Sequence, residues 1–492
     1  MVISPVHYIA VPLLAAFTIP LFAKIHKELT RIIPGIVLIY LTYVSYVLMS
    51  KVMTTGPIVE IIAGWKAPWG INLVYNGFSG FIASLMSIMG LLIWIYSYKF
   101  KKVDDEPALK FYILFLMMIA GSIGITITGD VFNMFVFLEI VGITSYSLTA
   151  FYRGRDGAEA AFKYLLIGSF ASVFLLLGIL LLYTHVGTLN MAQIAERMHT
   201  IPTSVKLSIF VMFAVALGIE AEMFPLNGWA PDAYSQAPGP VGAAFSGIVV
   251  KAGVYALIRI IFTLFDIEGS LQFLIVMGLI TMIIAEVSAI RQTNLKRMLA
   301  YSSIGQMGVV LIGFGIGTTE AIFAAIFLMF NHAIIKGLLF LSGSFLVYND
   351  DKKQIASLSR FGKKLPVVSF LFALGAFAIV GFPPFAGFWS KLYLLLAAAD
   401  KNLIFLIAII LMVSVVEVIY YLRVVGKLYF GKEESKIEPK KPAFNSLIVM
   451  LILGAIIILV GVYPDVITGF IHNAADTLSD KATYISNVLP SL

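Results

Sequence analysis

The most informative stretch of the chain runs from Phe245 to Phe262 and reads "FSGIVVKAGVYALIRIIF". Nearly all of its side chains are apolar, yet Lys251 stands near its middle and Arg259 follows two helical turns later. A run of about 18 apolar residues is long enough to cross a lipid bilayer as a helix. The stretch therefore predicts a membrane helix, and it raises the question of why that helix carries an ammonium group.

The composition of the whole chain supports a membrane protein. Hydrophobic residues make up 60% of the chain and charged residues 12%, whereas soluble proteins have about 25% charged residues. Fourteen apolar runs are long enough to span a bilayer, and they cover residues 5–23, 32–50, 78–98, 108–128, 131–151, 161–184, 204–224, 240–264, 271–290, 299–316, 321–347, 366–393, 402–428 and 446–464. We number them spans 1 to 14. They predict an all-α polytopic protein without a soluble domain, since the longest polar piece, residues 431–444, is only a loop.

The basic residues indicate how these spans are oriented. The loops after odd-numbered spans hold 23 Lys and Arg residues and the loops after even-numbered spans hold five. The larger set is Lys24, Lys27, Arg31, Lys99, Lys101, Lys102, Lys110, Arg153, Arg155, Lys163, Arg291, Lys296, Arg297, Lys352, Lys353, Arg360, Lys363, Lys364, Lys427, Lys432, Lys436, Lys440 and Lys441. Because positive charge collects on the cytoplasmic side, we expect a protein of the cell membrane with its odd loops inside and both termini outside.

Several kinds of chemistry are not indicated. The chain has no cysteine, so it offers no thiolate for an iron–sulfur cluster and no disulfide. No phosphate-binding loop or dinucleotide fingerprint occurs, and we expect no cofactor and no metal on this chain. The net charge of +7 is divided among many short loops, which does not predict nucleic-acid binding.

Once the charges assigned to loops are set aside, ten charged residues remain inside the predicted spans, and His332 joins them as a candidate functional residue. A charge at the centre of a membrane helix costs about 2.5–3.5 kcal/mol on insertion scales, so such residues usually face a protein interior and find partners there. The set is Glu139, Glu220, Glu222, Lys251, Arg259, Glu286, His332, Lys336, Lys391, Glu417 and Arg423. Together they predict a polar axis within the membrane.

A simpler interpretation competes at some of these positions. Arg259 and Arg423 lie toward helix ends, where a long side chain reaches the membrane surface, and Glu222 stands beside "FPLNGW", which also favours an interface. The competing interpretation of Lys251 is that it forms a purely structural salt bridge. Glu139, Lys251 and Lys391 are too central for the surface interpretation.

Helix breakers accompany several of the charges. Pro225 follows Glu220, the pair Pro238 and Pro240 precedes Lys251, and "GFPPFAGFWSK" at 381–391 ends in Lys391. Proline removes a helical hydrogen bond and frees carbonyl groups, which are tolerated at membrane depth only beside protein or water. Breaks are thus predicted in spans 7, 8 and 12, and broken helices with adjacent charges are typical of ion-transport sites.

Weak internal symmetry is also present. The segment "VKAGVYALIR" of span 8 is similar to "VEVIYYLRV" of span 13, and the broken span 7 with "FPLNGW" has a counterpart in span 12 with "FPPFAGFW". Both pairs are five spans apart. A repeat of an odd number of helices enters the membrane from opposite sides, so the pattern favours inverted repeats.

Several of these runs resemble one family. The sequences at 135–151, 224–259, 294–313, 331–344 and 381–395 are similar to the antiporter-like subunits of Mrp cation/proton antiporters, respiratory complex I and membrane-bound energy-converting hydrogenases. The resemblance covers about residues 70 to 430. It implies fourteen helices, with spans 4–8 and 9–13 as inverted repeats and a short extracytoplasmic hairpin at 64–80. The implied units are 1–107, 108–265, 266–430 and 431–492.

The resemblance also implies an ion path. Glu139, Lys251, His332, Lys336 and Lys391 match the family's path residues, and Glu220, Glu222, Glu286 and Glu417 are secondary candidates. One departure from the family is evident, because Glu220 stands where many members have a lysine that pairs with the span 5 glutamate. We therefore expect two carboxylates, Glu139 and Glu220, to face each other near Lys251 and to share a proton.

The implied function is movement of protons, or alternatively sodium, by a subunit that works beside other membrane subunits. Two alternatives stay open, a stand-alone transporter of a small solute and a structural subunit without a path of its own. Whether the chain is part of an enzyme depends on the parent complex, which is an Mrp antiporter or a complex I-like or hydrogenase-like assembly. The residues at 472–492 are too few for the long lateral helix of some members, which favours the shorter type, such as the MrpD-type antiporter component.

Overall fold

The computed structural model describes residues 3–99, 105–265, 267, 269–432, 435 and 437–489. Three of the basic loop residues, Lys101, Lys102 and Lys436, lie outside the described residues, as does residue 266, where the third predicted unit begins. All fourteen predicted spans are present as helices.

Spans 1 to 6 and 9 to 11 are continuous helices. They are His7–Ile25, Leu29–Thr55, Gly77–Ser97, Asp105–Ile127, Val131–Thr149 and Arg155–Val186, followed later by Ser270–Ile290, Leu295–Ile316 and Thr319–Leu346. Spans 13 and 14 are Ile404–Phe430 and Phe444–Val462. Among the described residues, thirteen helices are long and apolar enough to cross a membrane, and the remaining span, span 12, consists of two shorter helices.

The interruptions fall in the three predicted spans. Span 7 comprises Thr203–Glu220 and the short helix Ala230–Gln236, and span 12 comprises Pro366–Val380 and Ala386–Asp400. Span 8 is interrupted differently, because a π-helical turn at Phe245–Val249 connects Gly239–Ala244 to Val250–Leu264. Its prolines lie at the start of the span, with Pro240 in the first turn, where proline is tolerated since its missing N–H has no helical partner.

One glycine permits an interruption, and another permits two of these spans to pack closely. Gly381 ends the first half of span 12 with a φ of 97°, a left-handed conformation that glycine adopts without a Cβ penalty. Gly253 lies against the end of span 7, where a Cβ would stand 2.2 Å from the carbonyl oxygen of Glu220. Spans 7 and 8 therefore approach each other closely beside Lys251.

The loops after even-numbered spans meet on one side of the molecule. A hairpin of two antiparallel strands, β1 (Ile58–Ile61) and β2 (Asn72–Tyr75), follows span 2, and its first strand lies before the predicted range of 64–80. The carbonyl oxygen of Asn72 accepts from the N–H of Gly129 at 2.8 Å, and its side chain accepts from Asn190 at 2.8 Å. The described residues nearest to both ends of the chain also lie on this side, because the N–H of Val6 donates to Glu60 at 3.3 Å and Thr477 accepts from the N–H of Phe78 at the start of span 3.

The loops after odd-numbered spans meet on the opposite side. Asp232 pairs with Lys163 at 3.0 Å and with Arg297, while the Lys353 ammonium donates to the carbonyl oxygen of Ser235 at 2.6 Å. These contacts join the short second helix of span 7 to the N-terminal turns of spans 6 and 10 and to the loop after span 11. The alternation of sides agrees with the number of spans predicted from the basic residues.

The C-terminal residues form two further helices, Asp465–Ser479 and Lys481–Val488. The hydroxyl of Thr477 accepts from the backbone N–H of Phe78 at 3.1 Å. It thereby satisfies one of the free donors at the start of span 3. These helices cover the start of span 3.

Span 11 lies at the centre of the protein. In spans 8 and 11, 94% of the most apolar window is buried, and in span 10 the share is 89%. Span 6, with 33%, is peripheral. Titratable groups near the middle of spans 8 and 11, such as Lys251, His332 and Lys336, are therefore shielded from the lipid surface and must find partners inside.

Candidate functional site

Lys251 is fully buried, with an exposed fraction of 0%. It follows the π-helical turn of span 8, and its ammonium donates to the carbonyl oxygen of Ser246 at 3.0 Å. Its second partner is Nδ1 of His332, 2.5 Å away on span 11. An ammonium group can only donate, so a charged Lys251 requires the unprotonated Nδ1 of a neutral His332.

His332 connects Lys251 to span 10. Its other ring nitrogen, Nε2, lies 3.0 Å from the hydroxyl of Ser303. With Nδ1 accepting from Lys251, Nε2 carries the ring proton and donates to Ser303. The protonation of the lysine thus determines which tautomer of the histidine fits.

Lys336 lies one turn after His332 on the same face of span 11, since residues four apart on a helix are neighbours. It is fully buried, and its ammonium donates to the hydroxyl of Tyr421 at 3.0 Å and to the carbonyl oxygen of Leu299 at 3.2 Å. The Tyr421 hydroxyl also lies 3.1 Å from that of Ser302. A neutral hydroxyl and a carbonyl are therefore the partners of a second buried ammonium group.

Glu417 stands one turn before Tyr421 on span 13 and forms an ion pair with Lys391, with 2.6 Å between Oε2 and Nζ. Its other oxygen accepts from Gln306 at 2.6 Å. Lys391 also donates to the carbonyl oxygen of Val380 at 3.0 Å. Val380 is the last residue of the first half of span 12, so the break supplies a carbonyl group to the lysine.

These contacts form one continuous arrangement across the interior, which we call the central row: Lys251, His332, Lys336, Glu417 and Lys391. Each step is either a direct contact or one helical turn, with Tyr421 between Lys336 and Glu417. Glu286 lies beside the row, because its carboxylate accepts from Tyr420 at 2.8 Å and the charges of Glu417 and Lys336 act on it.

A second group, the carboxylate cluster, consists of Glu139, Glu220 and Glu222. Glu139 of span 5 accepts a hydrogen bond from Ser172 of span 6, and one small cavity is lined by Glu139, Ser172 and Glu220. The structure therefore brings Glu139 and Glu220 together. The charges that act on Glu220 are those of Glu139 and Glu222.

The position of Glu222 differs from the expected interface. It is buried, with an exposed fraction of 1%, because the break in span 7 turns its side chain into the protein. The charges that act on Lys251 come from Glu222 and Lys336. Glu222 is thus the carboxylate whose charge acts on Lys251, whereas that influence was expected from Glu220.

The surface interpretation is wrong for Arg259, which has an exposed fraction of 5%. Its guanidinium donates to the carbonyl oxygens of Thr126 at 3.1 Å and Thr128 at 2.6 Å, at the end of span 4. Arg423 is exposed but is likewise bound, to the carbonyl oxygens of Ile290 at 2.8 Å and Gln292 at 2.7 Å. The final carbonyls of a helix lack helical partners and attract cations, so both arginines cap helices.

Sequence reasoning missed the neutral members of the site. They are Ser172, Tyr234, Ser303, Gln306, Tyr420 and Tyr421. Hydroxyl and amide groups cost less to insert than charges, so they do not stand out in an apolar span. The signal for the two tyrosines was their position three and four residues after Glu417, on the same helical face.

The fold and this arrangement define a polytopic membrane subunit with charged residues placed in a row inside the protein. The family model described as NADH:quinone oxidoreductase/Mrp antiporter, TM, matches residues 128–417, a segment that contains all nine candidate path residues. The chain belongs to this family of membrane subunits.

Individual relatives agree over nearly the full length. The chain is 32% identical to the N-type subunit of NADH-quinone oxidoreductase from Desulforudis audaxviator, over 94% of this chain and 96% of that protein. It is 30% identical to the D-type subunit of a Na(+)/H(+) antiporter from Alkalihalophilus pseudofirmus, over 98% of each.

Two solved structures are similar over the whole fold. A chain of the membrane-bound sulfane sulfur reductase, an archaeal respiratory membrane complex, shares 38% identity with a TM-score of 0.92 and covers 99% of this chain and 100% of its own. A chain of the Mrp complex from Dietzia sp. shares 25% identity with a TM-score of 0.90, at the same coverage. Both belong to multisubunit membrane complexes.

Proposed function

We propose that this chain is the proton-translocating membrane subunit of a multisubunit complex, and that the central row is its path. The observation that supports this most strongly is the row itself, in which every step from Lys251 through His332, Lys336 and Glu417 to Lys391 is a direct contact or one helical turn. A stand-alone solute transporter would need a roomy midplane pocket, whereas buried charged and polar side chains occupy the interior along this row.

The row offers a physical mechanism for moving protons. Burial favours the neutral form of a lysine, whereas a nearby carboxylate favours the charged form. A change of charge at one member alters the proton affinity of the next, because Coulomb interactions are strong at low dielectric constant. Protons that enter at the carboxylate cluster would pass along the row toward the break in span 12. Sodium is the alternative ion.

The parent complex is proposed to be of the respiratory type, in which electron transfer drives the ion movement. The 38% identity to a chain of the sulfane sulfur reductase complex favours this assignment over the Mrp type, to which the Dietzia chain is 25% identical. Redox centres would then reside on other subunits. The subunits that copurify with this chain, identified by mass spectrometry, test the assignment: redox subunits support it, and a set of antiporter subunits alone contradicts it.

The orientation is part of the proposal, with the odd loops in the cytoplasm and both termini outside. The absence of cysteine allows a direct test. Lys66→Cys, on an even loop, should react with an impermeant thiol reagent in intact cells, and Lys441→Cys, on an odd loop, should not.

The function is tested by Lys251→Ala in the assembled complex, reconstituted into vesicles. We expect coupled proton movement to fall by about two orders of magnitude or more, as is common when a proton-transfer group is removed. Lys401→Ala, at an exposed lysine, is the matched control. Normal proton movement in Lys251→Ala would leave Lys251 with a structural role only, through its hydrogen bonds to Ser246 and His332.

A further inference from the structure

Glu222 occupies an unusual place in the backbone. It stands just after the first half of span 7 and has a φ of 57°, a left-handed conformation that is uncommon for residues other than glycine. The turn directs a carboxylate into the interior, where it is almost fully buried. Unusual backbone conformations with buried charges gather at functional sites.

One oxygen of this carboxylate is held in place. Oε1 accepts a hydrogen bond of 2.7 Å from the hydroxyl of Tyr234, which belongs to the second half of span 7. Tyr234 is itself fully buried, and its ring stacks on that of Phe340 from span 11, with 5.3 Å between the ring centres. Tyr234 therefore fixes the carboxylate across the break.

The other oxygen is free. Oε2 is buried and has no hydrogen-bond partner within the described part of the chain. A buried polar atom without a partner is costly, and each such atom in a native structure calls for an explanation. An oxygen that periodically receives a proton provides one.

Glu222 is the member of the carboxylate cluster that lies toward the central row. It follows Glu220 by two residues, at the end of the first half of span 7, and span 8 packs against that end at Gly253, where a Cβ would stand 2.2 Å from the carbonyl oxygen of Glu220. The charges of Lys251 and Lys336 act on Glu222. The described residues offer no other carboxylate in this position. A proton that moves between the carboxylate cluster and the central row therefore meets Glu222.

From this geometry we infer that Glu222 carries protons between the carboxylate cluster and Lys251, and that Tyr234 is its positioning residue. The step moves one proton from the ammonium of Lys251 to Oε2 of Glu222, and water relays it because the two groups share no hydrogen bond. It leaves a neutral amine and a neutral carboxylic acid. The reverse transfer restores the pair, and no other reactant is needed. The inference rests on the proposed function.

The test uses the complete complex in vesicles, with Glu222→Gln and Tyr234→Phe. Glutamine keeps the acceptor for Tyr234 but binds no transferable proton, so we expect proton movement to fall by about a hundredfold. Phenylalanine removes only the positioning hydrogen bond, so a loss of about tenfold is expected, with the carboxyl still titrating. Glu320→Gln, an exposed carboxylate at the start of span 11, is the matched control and should behave as the wild type.

Infrared difference spectra of the same complexes separate this role from a structural one. A protonated carboxyl band should appear during turnover in the wild type, shift in Tyr234→Phe and be absent in Glu222→Gln. Normal proton movement in Glu222→Gln, beside an active wild type, overturns the inference and leaves the proposed function intact. If Glu222→Gln does not assemble, a carboxyl band that is unchanged in Tyr234→Phe overturns it.

Discussion

Arg259 and Arg423 cap equivalent helix ends on opposite sides of the membrane. Arg259, near the end of span 8, binds the carbonyl oxygens of Thr126 and Thr128, and Arg423, near the end of span 13, binds those of Ile290 and Gln292. Spans 4 and 8 are the first and last spans of one predicted repeat, and spans 9 and 13 hold the same places in the other. The two arginines thus make the inverted repeat visible as a pair of matching contacts.

The caps predict unequal losses of stability. Hydrogen bonds to charged groups contribute about 1.5–3 kcal/mol each when buried, and Arg259 is far less exposed than Arg423. We expect Arg259→Ala to destabilise the purified protein clearly more than Arg423→Ala, as measured by the thermal unfolding midpoint. Equal midpoints would contradict the assignment of Arg259 as a buried cap.

The ion pair of Lys391 and Glu417 predicts a rescue of stability without a rescue of transport. Removing one partner of a buried pair costs about 3–5 kcal/mol, since the other charge is left alone, whereas replacing both is far less costly. Lys391→Met/Glu417→Gln should therefore unfold at a higher temperature than either single variant. All three variants should fail to move protons in vesicles, and additive destabilisation would argue against the pairing.

Glu139→Gln should abolish coupled proton movement while the complex still assembles. Glutamine preserves the acceptor for the Ser172 hydroxyl but cannot exchange a proton, so a loss of about a hundredfold is expected. Ser172→Ala, which removes the donor and leaves the carboxylate, should lose much less. Vesicle assays at matched expression compare the two, and an active Glu139→Gln removes Glu139 from the path.

Glu220 should affect proton movement through the interaction of its charge with the other carboxylates. Its charge interacts with Glu139 and Glu222, so Glu220→Gln lowers the repulsion in the cluster and should slow proton movement by about tenfold. Glu220→Lys places an ammonium between two carboxylates and should hold both in the charged form. We expect it to be slower than Glu220→Gln, and wild-type rates in both variants would make Glu220 a bystander.

A pH-dependent prediction concerns Asp130, in the loop between spans 4 and 5. Its side chain caps span 5 by accepting from the N–H of Asn133 at 2.8 Å, and burial raises its pKa to about 6. The folded state therefore holds this proton more tightly than the unfolded state, and the wild type loses stability as the pH rises from about 4 to about 6.

Asp130→Asn keeps a good cap and removes the buried charge. At pH 7.5 its free energy of unfolding should exceed that of the wild type by up to about 3 kcal/mol for a shift of two pKa units, so it should unfold at a higher temperature. At pH 4 the two proteins should differ little. A gain that is the same at both pH values would exclude titration of Asp130 as the cause.

The membrane fold could be predicted from the chain alone. Apolar runs indicated the number of spans, the alternation of basic loops indicated their sides, and the cost of a buried charge marked Lys251, His332, Lys336 and Lys391 as residues that need partners. These properties are local, because insertion into a bilayer depends mainly on the composition of each span.

The identity of those partners required the packed structure. Lys251 meets His332 across 81 positions of sequence, Glu222 is buried although its neighbours favour an interface, and Arg259 binds a helix end 131 positions away. Hydropathy indicates the free-energy cost of placing a charge in the membrane. It does not indicate which residues of the neighbouring spans will bind that charge. That depends on how the helices pack, and in this protein the turn at Glu222 and the break in span 12 place the carboxylates and carbonyls beside the lysines.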